Sequence, residues 1–193
     1  DKYCMERGRY CGLIFLLSTR NAEPLALMND GYLQHMRVGA CAGIGTKYLA
    51  RTNAKVLAMI GSGGMARTYA EANKQVRPIE TMRVFSPTKK NREAFAADMT
   101  KKLDIEIIPV DSAEKALRGA DVVSLTTDSL IPVIKAEWLE PGMHINNVRN
   151  NEAGPDVLAR ADVGARLGTS TLFADRSAGE VVTGSDGMFG FIA

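Results

Sequence analysis

VLAMIGSGGMARTYA, residues 56–70, runs from five apolar residues through Gly61-Ser62-Gly63-Gly64-Met65-Ala66 into a helix-compatible segment. A buried strand, a glycine turn and a helix N-terminus in that order form a pyrophosphate site. Gly61 makes the tight turn, and Gly63 lets backbone approach phosphates with no side chain between. Ala66 is small enough for helix and strand to pack closely, and the first helical N–H groups face the anion. The pattern is GxGxxA, a permitted form of the dinucleotide fingerprint. Its flanks carry the weight, because the same glycines without a strand before and a helix after would be only a turn.

Working outward, the pattern is regular. Downstream, Thr81–Ser86, Ile105–Val110, Val122–Leu125 and His144–Val148 read as strands. The segments from about 65 to 73, 91 to 102 and 112 to 118 read as helices, the last with Ser112 as N-cap. Strands alternating with helices at this spacing predict βαβ crossovers and a parallel sheet, hence an α/β fold. Asp156 falls in the first turn of a further helix. Upstream, residues 11–19 and 24–28 read as a hairpin about an Arg20–Glu23 turn, and a helix is predicted from about Tyr32 to Arg51. That helix carries Gly39, Ala40, Cys41, Ala42, Gly43 and Gly45. Glycines cost a solvated helix roughly 1 kcal/mol each relative to alanine. So many predict the close approach of another backbone, from the cofactor lobe or from a second subunit. After Val163 the pattern fades, and residues 178–190 receive no assignment.

Composition excludes several classes. Charges nearly balance, with 24 Lys plus Arg against 22 Asp plus Glu, so neither nucleic acid nor an anionic membrane is expected as partner. An odd set of cysteines (Cys4, Cys11, Cys41) without a CxxC pair points to a reduced, cytoplasmic setting. No apolar run reaches the length of a membrane span. His35 and His144 lie far apart, without a second ligand at helical spacing. They read as surface, capping or supporting histidines, and no metal is expected. There is no GxSxG elbow and no GxxxxGK[ST] loop.

Three strand ends could carry chemistry. An NAD site places Asp or Glu at the end of the second strand for the ribose 2′-hydroxyl. Here that place falls on Ser86, with Thr88 offering a second hydroxyl and Lys89, Lys90 and Arg92 just beyond. Donors and positive charge favour NADP over NAD, although Pro87 supplies no N–H there. After the fourth strand, Thr126 and Thr127 could line the diphosphate or the nicotinamide ribose. After the fifth, the amide and ionic side chains of Asn146-Asn147-Val148-Arg149-Asn150-Asn151-Glu152 suggest a substrate rim. Arg37 is a plausible carboxylate fork, since guanidinium binds carboxylate bidentately, with an exposed helical arginine as the alternative. A methyltransferase fits poorly, because Ser86 replaces the acidic residue those proteins usually place there.

Taken together, MRVGACAGIGTKYLAR, IGSGGMAR, VFSPTKKNREAFA, GADVVSLTT and LEPGMHINNV followed by PDVLARADV resemble the ornithine cyclodeaminase/mu-crystallin family, over about Gly12 to Asp162. The resemblance implies a Rossmann-type doubly wound parallel sheet with part of a second α/β domain for substrate and dimerisation. Residues 1–50 would be that partial domain with its connecting helix, and residues 51–193 the dinucleotide-binding domain. Family chains are longer, so the resemblance implies a fragment lacking an arginine and a lysine for the substrate carboxylate and a C-terminal helix. The full-length protein would be a homodimer. Arg37 falls on the family's arginine that contacts substrate and cofactor. Gly64 and Met65 fall on the diphosphate contact, Ser86 on the ribose discriminator and Thr126 on a cofactor-contacting threonine. Asn146 to Val148 fall on the strand end beside the nicotinamide.

One departure bears on the reaction. True cyclodeaminases have an aspartate after the fifth strand, acting on the substrate amine. Here Asn151 stands in its place and cannot ionise. Glu152 is adjacent but would point differently. The family's ketimine and cyclic imino-acid reductases and mu-crystallin also lack that aspartate. The expectation is therefore an NAD(P)H-dependent reductase of imino acids, or an amino-acid dehydrogenase, with Arg37 and Asn151 on the substrate. An NAD-dependent ornithine cyclodeaminase and a non-catalytic, mu-crystallin-like binding protein are the alternatives.

Overall fold

The computed structural model describes residues 12–149 and 151–166 and the strand Gly190–Ile192. The region from Val56 builds the expected sheet. Strands β3 (Val56–Ile60), β4 (Thr81–Phe85), β5 (Glu106–Pro109), β6 (Val122–Leu125) and β7 (His144–Asn147) are parallel. Helices α2 (Gly64–Val76), α3 (Lys89–Leu103) and α4 (Ala113–Leu117) supply crossovers. Two short strands, β8 (Gly164–Arg166) and β9 (Gly190–Ile192), extend the β7 edge antiparallel, so the sheet order is β5-β4-β3-β6-β7-β9-β8. The order reverses between β3 and β6. That switch point is where open parallel sheets bind ligands, beyond the carboxyl ends of the strands.

Strand alternation sorts the core. Leu57 and Met59 face one side with Tyr69, Met82, Phe95 and Met99, while Ala58 and Ile60 face the other with Leu117, Val123 and Ile145. A parallel sheet covered on both faces needs near-continuous apolar strands, and VLAMI and VVSL supply them. Ser112 caps α4, its hydroxyl accepting from the Lys115 N–H at 3.2 Å. Helix α5 (Pro155–Leu158) carries Asp156 in its first turn.

Upstream, β1 (Leu13–Leu17) and β2 (Pro24–Asn29) pair antiparallel as a separate hairpin, and α1 (Gly31–Leu49) follows. One face of the hairpin stays open: Leu13, Phe15, Leu17, Leu25 and Leu27 are all exposed. A lone two-stranded hairpin is marginal in water, and contiguous apolar exposure marks a surface meant for contact.

The small residues of α1 meet α2. A Cβ on Gly64 would lie 2.5 Å from the His35 ring, one on Gly39 2.7 Å from Thr68 Cβ, and one on Gly43 3.0 Å from Ala72 Cβ. Residues 35, 39 and 43 thus meet 64, 68 and 72, each series advancing by one helical turn. The two helices therefore run parallel, side by side, for three turns. Of the two partners expected for this glycine-rich face, the cofactor-lobe helix occupies it. The far end is tied by Arg77, just past α2. Its guanidinium donates to the carbonyls of Lys47 (2.7 Å), Ala50 (2.7 Å) and Arg51 (2.8 Å), capping α1. A cation at a helix C-terminus satisfies orphan carbonyls and opposes the dipole.

Among the described residues no helix is long and apolar enough to cross a membrane, and no group of three or more His, Cys, Asp or Glu could hold a metal ion. Cys41 is a half-buried free thiol on α1. Cys4 and Cys11 lie outside the described residues, as does nearly all of 178–190.

Candidate dinucleotide site

Gly61 leaves β3 at φ +116°, its N–H still donating to the Phe85 carbonyl at 2.8 Å. L side chains rarely adopt that backbone. A Cβ there would also lie 2.6 Å from Thr126 Oγ1 and 2.7 Å from the Thr126 carbonyl oxygen. Glycine turn and β6 end are in direct contact across the switch point. Thr126 is held by its N–H and hydroxyl, donating to the Ile60 carbonyl at 2.8 and 3.1 Å. Gly63 differs: it sits at the N-cap of α2 in extended backbone, and a Cβ built on it meets nothing within 4 Å. That open space at a helix N-terminus is what a diphosphate requires. Ala66 is fully buried, as helix-to-strand packing demands.

The parallel course of α1 and α2 brings the N-terminal halves of both helices to this edge. Arg37 stands two residues before the Gly39–Thr68 contact and is exposed. His35 covers Gly64. Burial lowers its pKa, with Asp30 pulling the other way.

At the end of β4, Ser86 is buried and Thr88 exposed. Arg92 folds back from α3, donating to the carbonyls of Ser86 (2.9 Å) and Pro87 (3.3 Å). No carboxylate stands at the end of β4, and a guanidinium lies against its last turn.

Most of the side chains expected as a rim from Asn146 to Glu152 do not form one. Asn146, Asn147 and Glu152 are turned inward and buried, Arg149 is half-buried, and Asn151 is exposed. Asn150 lies outside the described residues. Alternation along β7 sends Asn146 toward α1, where its amide donates to Thr46 Oγ1 at 2.8 Å. Only its backbone is left to face a ligand. Thr46 donates to Asn73 Oδ1 (2.6 Å), and Asn73 donates to Ser124 Oγ (3.1 Å) and the Tyr69 carbonyl (2.8 Å). Because the Asn146 amide nitrogen serves Thr46, its oxygen faces His144, and His144 Nε2 donates to it at 3.0 Å. Among the described residues His144 Nδ1 has no hydrogen-bond partner. The ring is held neutral. Burial drives its pKa down to about 4, aided by Arg77 and opposed by the Asn146 hydrogen bond.

Glu152 was undervalued by its sequence. Its fully buried carboxylate accepts from the Thr127 N–H (2.5 Å) and hydroxyl (2.8 Å) through Oε1. Through Oε2 it accepts from the N–H groups of Val148 (3.0 Å) and Arg149 (2.9 Å). Burial pushes its pKa up, and these four donors oppose the rise. No periodicity marks an irregular segment, so only the oddity of a carboxylate before Ala-Gly-Pro hinted at it.

The matching family model, ornithine cyclodeaminase/mu-crystallin, covers residues 7–182. A Delta(1)-pyrroline-2-carboxylate reductase of Bacillus cereus is 39% identical over 137 residues, 71% of this chain and 42% of that protein. The solved Thermococcus litoralis Delta(1)-pyrroline-2-carboxylate reductase, in complex with NADH and L-proline, matches with TM-score 0.72 and 38% identity over 76% of this chain and 47% of its own. An archaeal alanine dehydrogenase dimer with bound NAD gives 0.69 and 34%, over 77% and 47%. The chain spans less than half the length of these relatives. With the crossover order, the glycine turn and the family match in agreement, the chain belongs to the ornithine cyclodeaminase/mu-crystallin family.

Proposed function

We propose that this chain is the dinucleotide-binding part of an NAD(P)H-dependent reductase of imino acids, acting on cyclic or linear ketimines or, in reverse, as an amino-acid dehydrogenase. Asn151 carries the reading: an amide stands where a deaminating enzyme needs an ionisable base. The similarity to two pyrroline-2-carboxylate reductases and an alanine dehydrogenase supports it. In this reading residues 51–193 bind the dinucleotide, and residues 1–50 contribute part of a substrate and dimerisation domain with α1 as its connecting helix. The full-length enzyme is a cytoplasmic homodimer, and its dimer surface would account for the exposed hairpin.

The residues present fit a dinucleotide, since the space over Gly63 is one that a Cβ would fill. Gly61, Gly63, Gly64, Met65 and Ala66 hold the diphosphate. Thr126, Val148 and the backbone of Asn146 line the nicotinamide end. When bound, the reduced nicotinamide supplies a hydride for the carbon of a C=N bond. Arg37 holds the substrate carboxylate, and Asn151 orients the substrate through hydrogen bonds. The Asn151 amide does not ionise and cannot act as the acid, so the substrate nitrogen takes its proton from water. Ser86 and Thr88, with Arg92 folded against the end of β4, favour a 2′-phosphate and hence NADP, with NAD as the alternative.

The test uses the full-length protein with NADPH and NADH, against pyrroline-2-carboxylate, piperideine-2-carboxylate and ornithine. Oxidation of reduced cofactor by a cyclic imine is expected. Proline formed from ornithine without net change in cofactor absorbance would establish the cyclodeaminase instead, and cofactor binding without turnover a binding protein. On the present reading ornithine becomes a substrate only after Asn151→Asp.

A further inference from the structure

The ends of β6 and β7 are joined by one side chain. Strand ends at a ligand crevice leave N–H groups with no next strand to pair them, and buried polar groups without partners are costly. The N–H groups of Thr127 and Arg149 are in this position, while that of Val148 also keeps a 3.2 Å bond to the Leu125 carbonyl of β6, and Glu152 accepts from all three as well as from the Thr127 hydroxyl. Its main chain is fixed too. The Glu152 N–H donates to the Arg149 carbonyl at 3.1 Å, and its carbonyl accepts from the Val133 N–H at 2.9 Å. Both ends of the 127–133 loop are therefore attached to this residue.

We propose that Glu152 is a positioning residue, a carboxylate clip that sets the separation of the β6 and β7 turns between which nicotinamide and imino acid meet. The proposal rests on the reductase reading for what is positioned, not for the clip itself. Two other roles fit the geometry less well. An ionised carboxylate has about four lone-pair sites, and four donors occupy them, so none is left to pass a proton to a substrate atom. Among the described residues Glu152 also has no ion pair: Arg149 gives it a backbone N–H rather than a guanidinium. A buried charge met only by backbone amides and one hydroxyl holds geometry. What it holds adjoins the chemistry, because Thr127 follows Thr126 and the Val148 N–H is itself clipped.

The experiment compares full-length wild type with Glu152→Gln and Thr127→Val. It reads kcat and KM for pyrroline-2-carboxylate reduction, NADPH affinity by titration, and amide exchange at Thr127, Val148 and Arg149 without cofactor. A glutamine of the same shape turns an NH2 group toward one pair of donors. It is expected to lower kcat at least about tenfold, with NADPH affinity changed less than about threefold because the glycine turn still holds the diphosphate. Exchange at Thr127 and Arg149 accelerates, and that at Val148, still bonded to the Leu125 carbonyl, accelerates less. Thr127→Val keeps the carboxylate and loses one bond, so a loss of about two- to fivefold in kcat is expected. Wild-type kcat and exchange in Glu152→Gln would overturn the clip, as would equal losses in kcat and NADPH affinity. Should Glu152→Gln not fold, an unchanged kcat in Thr127→Val overturns it. A wild type that reduces no imine defeats the reductase reading alone, and amide exchange then decides for or against the clip.

Discussion

Gly61 and Gly63 stand two residues apart and answer to different demands. Gly61 serves the fold: its φ of +116° and the 2.6 Å approach to Thr126 Oγ1 leave no room for a methyl group. Gly61→Ala is expected to destabilise by about 1–3 kcal/mol, measured by urea denaturation. On the proposed function Gly63 serves the ligand, since its backbone is extended and its Cβ direction empty. Gly63→Ala should leave stability within about 0.5 kcal/mol, while dinucleotide affinity falls at least about tenfold by titration. Ser86 supplies a third test. Ser86→Asp places a carboxylate against the expected 2′-phosphate and should shift the NADPH-to-NADH affinity ratio about tenfold or more toward NADH. The glycine turn was legible because each glycine has a steric reason visible in one dimension. Glu152 was not, because its meaning lies in three N–H groups that meet it only after two separate strands have ended.

Elements were legible wherever a period existed. The VLAMI and VVSL strands match their expected limits residue for residue, and β4 differs only at its last residue. The stretch from Asn146 to Glu152 has no period of its own, so its side chains were placed on a rim although Asn146, Asn147 and Glu152 turn inward. The glycines of α1 announced a close neighbour without naming it, because small residues record a distance and not a partner. A test follows from the 2.7 Å meeting of a Gly39 Cβ with Thr68. Gly39→Ala gains about 1 kcal/mol of helix propensity but must push α1 off α2, which costs about 1–3 kcal/mol. A net loss of stability is expected, together with a raised KM for the imino acid as Arg37 shifts. Gly43→Ala, with its contact at 3.0 Å, should show the same effects more weakly.

At the scale of the molecule, a buried neutral histidine ties folding to pH. His144 titrates near 6.5 when unfolded and near 4 when folded. Between those values the unfolded chain binds more protons, so this contribution is complete above pH 6.5 and is lost as pH falls toward 4. The shift corresponds to about 3 kcal/mol. Glu152, with its pKa raised, acts in the opposite sense as pH falls. The comparison that isolates His144 is therefore wild type against His144→Gln, with urea denaturation at pH 7.5, 6 and 4.5. The substituted protein should lose less stability on acidification. The three-turn seam between α1 and α2, closed at its far end by Arg77, carries a further consequence. On the proposed roles, the guanidinium of Arg37 and the seat of the nicotinamide belong to one mechanical frame. Any swing of the hairpin about residues 29–31 leaves the span from carboxylate anchor to hydride donor unaltered, so opening to admit substrate need not disturb the alignment for transfer.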